Sequence, residues 1–248
     1  MKSPFNNHPL PVEATFDYSL VLTYALPEIQ LQGLIPAELK LDTHEGNAFV
    51  AVAMVQTKRL RPKGFPKFLG RDFFLIGYRI FVRYQTSEGK NRRGLFILRS
   101  ETNKPQMKIL GSLFTHYDYN TIDSKIEVNE NSITVKSSTA KLDVHVETNP
   151  SEMELPTYGD GDPVFTDWKT ARKFAGPLPF TFTRTDNTGE MLIIEGVRQH
   201  WKPKPVSVVK SEVGFLDSPQ FIGHRLASAF LVENVDYSWK KGYVDKCP

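Results

Sequence analysis

Alternation of apolar and polar residues with a period of two is the dominant pattern along the chain. It runs through residues 16–24, 78–84, 142–146, 180–183 and 235–239. Each of these segments predicts a β-strand with one buried face and one polar face. Residues 49–55 are apolar throughout, which predicts a strand that is covered on both sides.

Turn-forming residues separate these segments, at positions 43–46, 87–90, 129–131 and 186–189. They are typical of hairpin tips, and successive hairpins build an antiparallel sheet. A sheet of this many strands curls or closes, because an open edge invites aggregation. The sequence therefore predicts a mainly β protein, a closed or nearly closed antiparallel β-barrel with a few short peripheral helices.

Four short helices are predicted near residues 27–34, 104–114, 163–174 and 219–226. The third has the clearest signals, with Asp162 as N-cap, Pro163 in the first turn and Gly176 as the stop. Trp168 should pack this helix against the outside of the sheet. If Trp168 is fully buried, its replacement by alanine should cost roughly 3–5 kcal/mol.

Length and composition place these elements in one domain covering residues 1–248. The net charge is only +3 and the basic residues are dispersed, so no nucleic-acid partner is expected. No apolar run approaches the ~20 residues of a membrane span, and the first residues lack the apolar core of a signal peptide. We expect a cytoplasmic protein with no membrane partner.

Motifs for nucleotide binding, phosphate binding and zinc-dependent or serine-dependent hydrolysis are absent from the sequence. The six histidines never fall at short metal-ligand spacing, and the single cysteine, Cys247, excludes both an intrachain disulfide and a cysteine-based zinc site. We therefore expect neither a metal nor a cofactor, and a small-molecule ligand or substrate as the partner.

Charged residues at strand positions are the first candidates for chemistry. Arg79 and Arg83 share one face of a predicted strand, and Arg99 and Glu101 share one face of the next, just before a predicted helix. If these faces point into the barrel, they line a pocket suited to a carboxylate or an enolate. If they point outward, they form cross-strand ion pairs in solvent.

His116, Tyr117 and Tyr119 are candidates for acid–base chemistry, because they follow the second helix as the chain turns into the next strand. A histidine beside tyrosines offers groups that donate and accept protons. The alternative is an aromatic start of a strand that includes a histidine without a chemical role.

The order of these elements resembles the acetoacetate-decarboxylase-like superfamily, and more closely an uncharacterised bacterial branch of it. Residues 33–42 and 46–52 are similar to its opening, and residues 73–84 to a central strand of the branch. Residues 95–119 resemble the strand–helix–strand unit that carries the superfamily's active-site lysine, and residues 230–239 resemble the closing strand. The resemblance spans residues 15–240. It implies a cone-like antiparallel barrel with a central apolar cavity.

The resemblance also implies a mechanism whose nucleophile this sequence lacks at the expected place. True decarboxylases of the superfamily form a Schiff base between a desolvated lysine and a 3-oxo acid. The corresponding stretch here is Phe114-Thr115-His116-Tyr117-Asp118, without lysine. Lys108, two turns earlier on the predicted helix, is the candidate replacement.

Three hypotheses remain open from the sequence. In the first, the barrel binds a small oxo-acid or a similar apolar–anionic molecule, with Arg79 or Arg99 holding the anion and acid–base chemistry at His116, Tyr117 or Tyr119. In the second, Lys108 forms a Schiff base. In the third, the barrel is a non-catalytic carrier or sensor. The oligomeric state is left open, a homo-oligomer included.

Overall fold

The computed structural model describes residues 8–107, 119–150, 155, 163–176, 178–185 and 189–247. Fifteen strands lie within these ranges. They are β1 (Val12–Pro27), β2 (Lys40–Leu41), β3 (Asn47–Pro62), β4 (Arg71–Gln85), β5 (Asn91–Thr102), β6 (Tyr119–Thr121), β7 (Lys125–Val128), β8 (Ser132–Ser137), β9 (Leu142–Glu147), β10 (Phe180–Arg184), β11 (Glu190–Arg198), β12 (Lys204–Pro205), β13 (Ser207–Val213), β14 (Arg225–Trp239) and β15 (Tyr243–Lys246).

Seven strands form a ring. Hydrogen-bonded pairing runs in the order β14, β1, β3, β4, β5, β10 and β11, and β11 pairs again with β14. Most neighbours are antiparallel, whereas β5 pairs in parallel with β10 and with β6. The predicted mainly β fold is confirmed, and the ring agrees with the expectation of a closed or nearly closed sheet.

A second sheet, which the sequence did not separate from the first, contains β13, β9, β8 and β7 in that order. The alternation predicted for residues 142–146 is confirmed here, because Leu142, Val144 and Val146 are buried while the intervening side chains are partly exposed. These buried residues belong to the same apolar cluster as the inward side chains of the ring.

The interior of the ring is identified by the cluster that receives side chains from all of its strands. This inner cluster includes Leu22 of β1, Val52 of β3, Tyr78 of β4, Phe182 of β10 and Leu231 of β14. A separate outer cluster lies beneath a helix and contains the alternate residues of β1, β3, β4 and β14. The prediction that residues 49–55 are covered on both faces is confirmed, because every one of them is buried.

Two α-helices have described bounds, α1 (Glu28–Gln32) and α2 (Trp168–Ala175). The first confirms the helix expected near residues 27–34. The second begins five residues later than predicted, because its N-cap is Asp167 and not Asp162. The Asp167 carboxylate accepts a 2.7 Å hydrogen bond from the backbone N–H of Thr170, which satisfies a donor of the first turn.

The helix predicted at residues 219–226 is wrong. The chain forms two short 3-10 helices there, Gly214–Asp217 and Pro219–Phe221. Gly223 then adopts a φ of +81°, outside the right-handed helical region, and β14 begins at Arg225. A further 3-10 helix covers Lys67–Leu69. Of the helix predicted at 104–114, residues 105–107 are helical, Lys104 precedes the helix, and residues 108–114 lie outside the described residues.

Trp168 is only partly buried, so the condition for its predicted 3–5 kcal/mol cost is not met. The fully buried aromatic of this region is Phe165, whose ring lies 5.5 Å from that of Phe49 on β3. Within the described part of the chain, no helix is long and apolar enough to cross a membrane.

Candidate active site

One irregularity in strand β5 determines which side chains enter the ring. Tyr78 of β4 pairs with Arg99 of β5, but the next residue, Arg79, pairs with Ile97. Leu98 is therefore an extra residue, a β-bulge that shifts the alternation of side chains by one position. Phe96 faces the inner cluster before the bulge, and a regular strand would turn Arg99 and Glu101 outward. The bulge turns both of them inward, beside Tyr78.

Glu101 lies at the centre of this group. It is 1% exposed, and both of its carboxylate oxygens have partners. The hydroxyl of Tyr78 donates to Oε2 at 2.9 Å, and Nη2 of Arg99 lies 2.9 Å from Oε1. Burial raises the pKa of the Glu101 carboxyl, although the hydrogen bond from Tyr78 and the charge of Arg99 act in the opposite direction. This carboxyl is therefore suited to hold a proton and to release it.

Arg99 connects the buried carboxyl with solvent. Its side chain is 41% exposed, and the guanidinium lies 5.9 Å from the centre of the Phe215 ring. Its Nε is buried and has no hydrogen-bond partner among the described residues. Because a guanidinium carries five N–H donors, Arg99 retains donors for an anion while it contacts Glu101.

Aromatic side chains form an apolar wall beside these polar groups. Phe215, on the 3-10 helix 214–217, stacks on Tyr78 with 4.1 Å between ring centroids, and Phe221 lies 5.1 Å from Phe215. The ring of His224 packs edge-on against Tyr24 at 5.4 Å. Burial raises the pKa of Tyr24 to about 12, so its hydroxyl stays protonated at neutral pH. The site thus combines one cation, one carboxyl and an aromatic surface.

A cleft of about 470 Å³ adjoins this wall. It is lined partly by Val213 and Asp217, which flank Phe215 in the sequence, and by His224, which contacts Tyr24. Ser211 and Glu212 of β13 also line it. The segment that carries Phe215 therefore borders this cleft.

Arg79 lies on the opposite face of the sheet from Arg99 and Glu101. Its guanidinium crosses Gly77, where an added Cβ would lie 2.7 Å from Nε of Arg79. Tyr119 shares this outer face, because it pairs with Ser100, which in turn pairs with Gly77. Burial raises the pKa of Tyr119 to about 12, while the nearby positive charge of Arg79 opposes this rise. Arg79 and Tyr119 form a second group, separate from Arg99 and Glu101.

Arg83 also lies on the outer face, where it has a structural partner. Its Nε contacts the Asp42 carboxylate at 2.6 Å, and Nε of Arg93 contacts the other oxygen at 2.6 Å. The Asp42 side chain is fully buried, so the two arginines supply the charge that this carboxylate requires.

His116, Tyr117 and Lys108 lie outside the described residues, and their roles stay predictions. None of the lysines that the structure describes is buried. Among the described residues, no group of three or more histidine, cysteine, aspartate or glutamate side chains is arranged to hold a metal ion.

Tyr78 and Phe215 are site residues that sequence reasoning missed. Tyr78 occupies an inward position of the alternating strand and counts there as an apolar residue, so the pattern hides its hydroxyl. Phe215 lies about 115 residues beyond Arg99 in a segment with no strand or helix signal, and only the fold brings the two together.

Comparison with known proteins assigns the chain to a family. A model of the family DUF2071, described as an uncharacterized conserved protein, matches residues 13–232, and the chain belongs to this family. No curated protein matches the sequence.

Solved structures share the fold at low sequence identity. An acetoacetate decarboxylase-like enzyme from Sphingomonas wittichii RW1 is 14% identical, with a TM-score of 0.54 over 96% of this chain and 91% of that one. Acetoacetate decarboxylase from Legionella pneumophila is 14% identical, with a TM-score of 0.55 over 96% and 88%. The enduracididine biosynthesis enzyme MppR, complexed with pyruvate, is 8% identical, with a TM-score of 0.50 over 96% and 88%. The fold is acetoacetate-decarboxylase-like, as the resemblance predicted.

Proposed function

We propose that this DUF2071 protein binds a small oxo-acid, or a similar apolar–anionic molecule, beside Arg99 and the aromatic wall at Phe215, in the cytoplasmic setting expected from the sequence. The observation that carries the proposal is the inward group Tyr78–Glu101–Arg99. It presents a partly exposed cation beside a buried carboxyl of raised pKa and a stacked aromatic surface. MppR, which shares the fold, has been solved with pyruvate, a small oxo-acid.

The charge balance of this group favours an anionic ligand. When Glu101 is ionised, it neutralises Arg99 at 2.9 Å. When Glu101 is protonated, Arg99 becomes a net positive charge at a partly exposed position beside buried groups, and it attracts an anion. A carboxylate ligand therefore binds best to the protonated form of Glu101, and its binding draws a proton into the site.

Glu101 also fits a role as acid–base catalyst on a bound oxo-acid. In the fraction of complexes in which Glu101 is ionised, its carboxylate takes a proton from the carbon beside the carbonyl, which leaves an enolate whose oxygen Arg99 stabilises. Return of the proton restores the ligand. His116 and Tyr117 stay candidates for the same role, whereas Arg79 and Tyr119 lie on the outer face and belong to no site shared with Arg99.

A second candidate function is a non-catalytic carrier or sensor. The lack of any buried lysine among the described residues agrees with it, because a buried amine is what Schiff-base chemistry requires, and the same lack agrees equally with acid–base chemistry at Glu101. A Schiff base at Lys108 is the third and least supported alternative.

Ligand titration tests the binding proposal. We expect pyruvate and acetoacetate to raise the melting temperature and to show saturable binding by calorimetry, and we expect Arg99→Ala to weaken binding by at least tenfold. Arg184→Ala is the matched control, because Arg184 is similarly exposed (47%) and pairs with the partly buried Glu38 at 3.5 Å. Unchanged affinity in Arg99→Ala, or equal losses in both variants, would contradict the proposal.

Isotope exchange separates the catalyst from the carrier. In D₂O, a catalyst replaces the methyl protons of bound pyruvate with deuterium faster than buffer does, and NMR follows the loss of the methyl signal. We expect Glu101→Gln to bind pyruvate and to lose this exchange. Saturable binding without any accelerated exchange in the wild-type protein would assign the carrier function instead.

A further inference from the structure

The hairpin between β3 and β4 ends in an exposed apolar tip, residues 63–70, hereafter the β3–β4 tip. Phe65 is 54% exposed, Phe68 is 84% exposed and Leu69 is 51% exposed. Scattered single apolar residues are common on protein surfaces, but three within five positions form an exposed apolar patch whose contact with water is unfavourable in free energy.

Hydrogen bonds hold the β3–β4 tip in this conformation. The backbone N–H of Phe65 donates to Pro62, that of Leu69 to Pro66 and that of Gly70 to Lys67. Arg61 secures the base of the tip, because its Nε donates to the carbonyl of Phe65 at 2.9 Å and its Nη2 pairs with Glu13. The apolar side chains are therefore displayed on an ordered turn.

Basic residues surround the apolar ones. Arg59, Lys63, Lys67 and Arg71 are exposed, and none forms a side-chain ion pair with any described residue. The nearest carboxylate in the sequence, Asp72, already contacts Lys58 at 3.4 Å and accepts the backbone N–H of Arg59. The tip therefore carries a net positive charge around an apolar centre.

We propose that the β3–β4 tip is a docking surface for an anionic lipid bilayer. Phenylalanine and leucine side chains partition into the boundary between headgroups and acyl chains, and basic residues are attracted to anionic headgroups over a Debye length. The sequence predicted no membrane partner because it holds no run long enough to span a bilayer. A peripheral contact requires only a few exposed side chains on an ordered turn.

A second copy of the chain is the less favoured occupant. If two tips packed against each other about a two-fold axis, the four basic residues of one copy would face the same four residues of the other copy, and the like charges would repel. The acidic cleft at Asp143, Glu212 and Asp217 offers opposite charge, but its lining is mainly polar and does not match two phenylalanines and a leucine.

Vesicle flotation tests the proposal with the full-length chain. We expect the protein to float with vesicles of phosphatidylcholine and phosphatidylglycerol at 3:1. It should bind vesicles of phosphatidylcholine alone at least tenfold more weakly, and 1 M salt should release it from the anionic vesicles. We expect Phe68→Ser to reduce flotation at least fivefold. Ile29→Ser is the matched control, because Ile29 on α1 is also 84% exposed, and it should float as the wild type does.

A charge pair completes the test. We expect Lys63→Glu/Lys67→Glu to abolish flotation, and Lys169→Glu/Lys173→Glu, at exposed positions of α2, to leave it unchanged. Equal loss in both double variants would reduce the effect to net charge and overturn the assignment to the tip. Absence of flotation would overturn it as well. Light scattering tests the second copy: a concentration-dependent dimer that is lost only in Phe68→Ser would assign the tip to contact between two chains. These readouts use no ligand, so they are independent of the proposed function.

Discussion

At the scale of single residues, the Glu101 carboxyl links ligand binding to pH. Its raised pKa means that the proton is still bound at pH values where an ordinary glutamate is ionised. We expect pyruvate affinity to increase as pH falls through this pKa, by up to about tenfold per pH unit. In Glu101→Gln the pH dependence of pyruvate affinity should vanish. Calorimetry at several pH values measures the affinity of both proteins. An equally steep dependence in Glu101→Gln would place the linked proton on another group.

The same carboxyl predicts how protein stability changes with pH. Because burial raises its pKa in the folded chain, the folded state holds a proton that the unfolded state has lost between the two pKa values. The Glu101 contribution to the free energy of unfolding is therefore fully present below the unfolded-state pKa and is lost as pH rises through the folded-state pKa. We expect urea unfolding to show this slope in the wild type and a shallower one in Glu101→Gln.

The hydroxyl of Tyr78 is expected to stabilise the fold through Glu101. Tyr78→Phe removes the donor to Oε2 and leaves a buried carboxylate oxygen without a partner, at a cost of about 1–3 kcal/mol in unfolding free energy. Tyr84→Phe is the comparison, because the Asp245 carboxylate that accepts from Tyr84 also accepts two hydrogen bonds from Ser87. A larger loss in Tyr84→Phe than in Tyr78→Phe would contradict this interpretation.

The inward direction of Arg99 and Glu101 was only one of two alternatives in the sequence. Their two-residue spacing correctly places them on one face, and the alternation of Tyr78–Tyr84 correctly places Arg79 and Arg83 on one face. A regular strand continued from Phe96 would have turned Arg99 outward. The bulge at Leu98 depends on how β4 and β5 pair, and the side chains of one strand alone carry no signal for it.

At the scale of elements, helix α2 is held by residues other than the one first expected. Phe165 is fully buried against Phe49, whereas Trp168 is partly exposed. We expect Phe165→Ala to lower the free energy of unfolding by about 3–5 kcal/mol and Trp168→Ala by about 1–2 kcal/mol. Urea unfolding measures both. The reverse order would show that the helix depends mainly on its tryptophan.

Strands were easier to predict from the sequence than helices, for a physical reason. In residues 49–55 and 142–146, the burial of each position in a sheet determines whether its residue is apolar or polar. Several residues in each segment therefore indicate the same strand. The start of α2 depends on one cap, and Asp162 and Asp167 both offer a capping carboxylate before an apolar residue. The chosen cap, Asp167, is set by how Phe165 and Ala171 pack on the outer face of the ring.

At the scale of the whole molecule, a fold shared with acetoacetate decarboxylase does not by itself establish the same chemistry. The acetoacetate-decarboxylase-like fold is shared, but a decarboxylase of that type requires a buried lysine. We predict no significant release of carbon dioxide from acetoacetate, and no lysine adduct by intact mass after borohydride treatment, because proton transfer alone typically supplies only about 10²–10⁴-fold.

Lys108 provides the decisive variant for this prediction. Carbon dioxide release at ordinary enzymatic rates that disappears in Lys108→Ala would contradict it and establish a Schiff base. Lys104→Ala is the control, because Lys104 is an exposed lysine at the start of the same predicted helix.

The pairing of β14 with β1 has a consequence for how the protein is made. These strands pair over thirteen positions, from Val12 with Trp239 to Ala25 with Arg225, so residues about 200 positions apart must meet. At a synthesis rate of about 5–20 residues per second, β1 leaves the ribosome about 10–40 s before its partner. During that interval β1 can pair with β3, but its other edge and the apolar side chains of Leu20 and Leu22 have no cover. The ring therefore closes only after β14 emerges, and this edge of β1 stays without its partner strand until then.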